Sequence, residues 1–159
     1  LMKLLIERFR DYTSKEEDNI SALEDLPLVA ETIKEYYEFD PNKPQDCDSV
    51  SKMYGSPAEL QKCIDEDLKR VEEYFKILYI DDYNKQPSAF SPVQTKSIKY
   101  WAELMGFKEE DGKMVQSGPS TMTDDQRKSL VKPVVSRHKK YVDSQAKKDT
   151  DLFISLMNK

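Results

Sequence analysis

Glycine is scarce in this 159-residue chain, which has four, against eight prolines. Loops that cradle phosphate with their backbone amides depend on glycine, and no P-loop, GxGxxG, GxSxG or HExxH pattern occurs. Glycine and proline are also too few for a collagen-like or low-complexity chain. Histidine is represented once, at His138, and cysteine twice, at Cys47 and Cys63. Sixteen positions separate the cysteines, with no CxxC and no nearby histidine, so neither a zinc site nor a disulfide scaffold is indicated. The expectation is reduced, structural thiols in an intracellular protein, cytoplasmic or nuclear. No apolar run approaches the ~18 residues that span a bilayer. "LMKLLI" at the start is too short for a signal-peptide core and meets charges at once. The chain opens on leucine, which suggests a piece excised from a longer protein.

What the chain does have is charge and aromatic rings. Charged residues make up 35%, above the ~25% usual for a soluble domain, and hydrophobic residues 38%. Nine tyrosines, six phenylalanines and one tryptophan argue against wholesale disorder. The net charge is −5, unevenly distributed. Residues 1–48 carry −7, residues 49–112 carry −3, and residues 113–159 carry +5. The triplet Asn19-Ile20-Ser21 fits a glycosylation sequon, a pattern short enough to arise by chance.

Apolar side chains recur at helical spacing. Leu60, Ile64, Leu68, Val71, Phe75 and Leu78 share one face, behind a Ser56 cap, Pro57 and Glu59. This predicts a helix over 57–80, supported by the i,i+4 pairs Asp65/Lys69, Glu66/Arg70 and Glu72/Lys76. Ser91-Pro92 opens a second helix, which Gly106 ends. "DDYNKQPSAF" reads as the loop between them. Further helices are expected from Leu1 to Tyr12, behind a Ser14 cap through Ile20, Leu23 and Leu26, and from Pro27 through Tyr37. "DPNKPQDCD" reads as a linker. Asp111-Gly112 can turn a small hairpin near 107–116.

Thr123 and Gln126 form a capping-box pattern ahead of Leu130, Val131, Val134, Val135, His138, Tyr141 and Val142, all in one phase. That phase continues, past a polar interruption at Asp149, to Leu152, Phe153, Leu156 and Met157. Pro133 predicts a kinked helix or two or three collinear segments. The fold expectation is therefore all-α: one compact bundle of about six or seven helices over 1–159, with a possible boundary at 39–50.

Two candidate surfaces follow. The last third carries a basic amphipathic helix, with Lys132, Lys139, Lys140 and Lys147 opposite the apolar arc and Lys128 and Arg137 at its margins. It suits an acidic partner, whether nucleic acid, anionic lipid or protein, or is only a solvated face. Tyr74, Tyr79, Tyr83, Tyr100 and Trp101 could rim a partner groove between the 57–80 and 92–106 helices, or simply pack. His138 lies on the apolar arc and reads as a core residue. No catalytic set, metal site or cofactor is indicated. Adjacent acids such as Asp81/Asp82 read as surface. The expected function is non-enzymatic protein–protein interaction; an anion-binding module is the alternative, and an enzyme with a composite site the second alternative.

Overall fold

Side chains that answer backbone amides mark where the helices begin. In the computed structural model, which describes residues 17–29 and 57–158, Ser91 Oγ accepts from Gln94 N while Gln94 Oε1 accepts from Ser91 N. Thr123 and Gln126 exchange the same two bonds. Each box satisfies two amides that a helix N-terminus otherwise leaves open. The helices are α1 (Pro57–Glu66), α2 (Arg70–Phe75), α3 (Asp81–Lys85), α4 (Pro92–Leu104) and α5 (Asp124–Met157). A short helical stretch at 17–21 precedes them, and the described residues are mostly helical.

The expected 57–80 helix is interrupted. Asp67 Oδ1 accepts from Lys69 N at 3.1 Å, and Arg70 N and Val71 N reach back only three residues, to Asp67 O and Leu68 O. An aspartate that bonds its own backbone two residues on competes with the α-helical ladder, and here it wins. Arg70 accordingly faces Asp67 at 3.8 Å. Past α2 the chain widens into a π-helical turn, Lys76–Ile80, where Ile77, Leu78, Tyr79 and Ile80 are all buried. Four consecutive buried residues do not fit an α-helical stripe. The expected loop then starts later than its composition suggests, because Asp81–Lys85 is helical.

Gly106 ends α4 at φ +89°. Its carbonyl accepts from Ser117 N and Gly118 N, and Thr121 N reaches Leu104 O, so the returning chain satisfies the last turn of α4. A β-carbon on Gly106 would lie 2.2 Å from Gly118 O and 2.7 Å from Pro119 O, both backbone atoms. Gly106→Ala should therefore cost about 2–3 kcal/mol, read as a lowered urea midpoint. The hairpin forms as expected: β1 (Phe107–Glu110) pairs antiparallel with β2 (Lys113–Gln116). Asp111 and Gly112 turn it at φ 52° and 80°. Asn84 fastens it to α3, donating to Met114 O and accepting from Met114 N, each at 2.8 Å.

α5 is one uninterrupted helix through Pro133; of the two alternatives expected, a kinked helix or collinear segments, the separate segments do not occur. Pro133 is buried, and its carbonyl accepts from Tyr79 Oη at 2.8 Å. α1 and α2 pack on the first half of α5, where Leu130, Val134, His138 and Tyr141 are buried. Leu23 and Leu26 join the same core, and residues 26–29 are not helical. The expected helix at 1–12, most of the one from Pro27, and the 39–50 linker lie outside the described residues. Cys63 is buried and disulfide-bonded, which corrects the expectation of reduced thiols. Spacing and motif absence carry no information on oxidation state.

Candidate functional site

The basic stretch of α5 divides into three parts with different surroundings. Arg137 points inward. Expected at the margin of a basic surface, it is 2% exposed and ion-paired with Asp82, itself 0% exposed. Its Nε donates to Leu78 O at 2.6 Å, and its terminal nitrogens donate to Leu26 O and Pro27 O at 3.4 and 3.1 Å. Tyr141, one turn further along α5, donates to Asp82 Oδ2 at 2.6 Å. The guanidinium carbon sits 4.8 Å from the Tyr79 ring centroid and 5.3 Å from that of Tyr141. Burial pushes both phenols well above their ordinary range, with Arg137 pulling the other way.

This cluster ties three segments together: residues 26–27, the π turn with α3, and α5. Arg137 uses all three guanidinium nitrogens on protein acceptors. The adjacent cavity, between Leu23, Tyr79, Ser136 and Lys140, holds about 40 Å³, room for a water but not for a substrate. The cluster is a clamp. Neither Asp82 nor Tyr141 was singled out from sequence in this role; the available signal was the i,i+4 spacing of Arg137 and Tyr141 on a face otherwise apolar.

Asp81, beside the clamp, is pushed up to about 6, chiefly by burial, against the pull of Lys76 and with the push of Asp82. A carboxyl whose folded-state pKa is raised binds its proton more tightly when folded. Its contribution is fully present below the unfolded value of 3.8 and is lost as pH rises through about 6. Asp81→Asn should therefore raise stability at pH 7 by about 1–2 kcal/mol and leave it nearly unchanged at pH 4, compared by urea titration at both pH values.

The second part is outward. Lys128, Lys132 and Lys139 are exposed and line a shallow groove of about 430 Å³ with Gln61 of α1 and the half-buried Val131 and Val135. Lys140, expected on the same face, donates to Glu24 O and serves the turn at 22–25. Lys147 is exposed but lies about 12 Å further along the helix axis than Lys139.

The third part is the end of α5. Beyond Val142 the described side chains are nearly all exposed. Leu152, Phe153, Ile154, Leu156 and Met157 are 51–72% exposed. The helical phase of Leu152, Phe153, Leu156 and Met157 predicts that the inward stripe continues; the described residues place nothing over it.

The aromatic set does not form a surface. Tyr74, Tyr79, Tyr83 and Trp101 are buried, and only Tyr100 is half-exposed, meeting Trp101 edge-on at 5.1 Å. The rings are too deeply packed to rim a groove. The cleft between α2 and the hairpin is lined instead by Lys69, Glu72, Glu73, Lys76, Met105 and Phe107, of mixed charge. His138 is buried, as its place on the apolar arc implies. Among the described residues there is no group of three or more His, Cys, Asp or Glu able to hold a metal ion, and no helix long and apolar enough to cross a membrane. Comparison with protein-family models, with curated proteins and with solved structures finds no match.

Proposed function

We propose that this chain is a non-enzymatic helical domain that binds another protein through the end of α5. One observation carries the reading: five large apolar side chains within six residues, all more than half exposed, on a helix that runs on past its own core. Exposed apolar surface of this kind marks interaction sites. Val142, Ala146, Asp149, Phe153 and Leu156 follow 4-3-4-3 spacing, and Leu152 and Met157 flank them. Two heptads are too few for a coiled coil, and Asp149 interrupts them. The pattern suits a helix laid into an apolar groove of a partner, anchored at i, i+3 or i+4, and i+7. The buried clamp supports a scaffold role, since its charged groups are spent on one another. The disulfide at Cys63 favours an oxidising compartment over the cytoplasm or nucleus expected from sequence.

Leu152→Asp/Phe153→Asp/Leu156→Asp should leave stability within about 0.5 kcal/mol of the parent, because these side chains are already in water. Partner capture from the source organism's extract should fall at least tenfold, the loss expected when central anchors are removed. Equal capture by both proteins would refute the reading. Sedimentation of the pure chain distinguishes a second copy from a different partner.

A further inference from the structure

Charge and shape coincide in the groove between α1 and the first half of α5. Lys128, Lys132 and Lys139 stand along it, and among the described residues no carboxylate lines it. Asp65, on α1, bonds to Gln61 at the groove's edge. Val131 and Val135 supply apolar surface between the lysines, and Ser136 adds a hydroxyl. From Lys128 to Lys139 the groove follows α5 for about 17 Å, three helical turns.

We infer that this groove takes an acidic amphipathic segment of a partner protein, apolar side chains against Val131 and Val135 and carboxylates on Lys128, Lys132 and Lys139. The inference rests on the interaction-domain reading but uses a surface separate from the end of α5. A membrane fits poorly, because the apolar surface is recessed rather than protruding. Nucleic acid fits poorly too. Among the described residues that line it, the groove offers no arginine and no aromatic ring for stacking. A small molecule would be left open to solvent in so shallow a site. A helical peptide with leucines on one face and glutamates flanking them matches both components.

The test uses the full chain and a fluorescein-labelled helical peptide of about 14 residues, leucines on one face and glutamates flanking them, read by anisotropy. Expected is saturable binding that weakens at least tenfold in Lys128→Glu/Lys132→Glu/Lys139→Glu. Replacing the peptide's glutamates by glutamine, or its leucines by serine, should each weaken it several-fold. The Leu152/Phe153/Leu156 aspartate variant should bind the peptide normally, which separates failure of this site from failure of the helix end. Unchanged binding in the lysine variant overturns the inference. So does tighter binding of duplex DNA or phosphatidylserine vesicles through the same lysines. No peptide binding also overturns it; if the lysine variant then melts lower than the parent, the groove is filled by the chain's own residues.

Discussion

Arg137→Met should lower the unfolding free energy by about 3–5 kcal/mol, the cost of leaving a buried charge without its partner. The substitution keeps the apolar stem of the side chain but ends level with Nε, so the loss combines the unpaired charge with the small void left by the guanidinium. Asp82 keeps its bond from Tyr141 but faces no cation in a site with 0% exposure. The carbonyls of Leu78, Leu26 and Pro27 lose a donor as well. For a chain of this size the shift in melting temperature is roughly 6–20 °C. Arg137→Met/Asp82→Leu/Tyr141→Phe should recover at least half of the loss, since an apolar replacement of a whole buried polar set removes the unpaired groups together. A surface role for Arg137 predicts no change in either variant. Differential scanning calorimetry on the parent and the two variants decides it.

Trp101→Ala should cost a similar amount, about 3–5 kcal/mol, through lost apolar burial and the cavity left behind. Trp101 is fully buried on α4 and is the largest such side chain in the described core. Tyr100, its neighbour, lies edge-on against it at an interplanar angle of 81° and is half-exposed. Tyr100→Ala should therefore cost distinctly less. Circular dichroism must follow both, because Trp101 is the chain's only tryptophan and its fluorescence disappears with it. An interfacial Trp101 would instead leave the melting temperature unchanged and weaken partner binding alone.

These two residues show what was legible in the sequence. Features decided by near neighbours in the chain were readable: the helix start at Ser91-Pro92, the box at Thr123/Gln126, the left-handed Gly106, and the Asp111-Gly112 turn. Asp67 shows the limit of local reading, because its side chain can either tolerate the helix or divert the backbone, and periodicity does not say which. Arg137 shows the limit of a helical wheel. Its position at the edge of the apolar arc is correct, but its burial depends on Asp82, 55 residues away. Aromatic residue types could not separate core from surface. Tyr79 stacks on Phe75 at 4.6 Å, deep in the π turn, where an interface reading placed it outside. At the end of α5, periodicity identifies the apolar side of the helix but not whether anything covers it.

Whether that side is uncovered is the question on which the functional reading turns. Hydrogen–deuterium exchange of the isolated chain, read peptide by peptide along α5, answers it. Amides over 130–141 should exchange only through global unfolding, whereas those over 150–157 should exchange far faster through local fraying. Equal protection of both stretches in the isolated chain would mean that Leu152, Phe153 and Leu156 are already packed, and would contradict a docking role for the helix end.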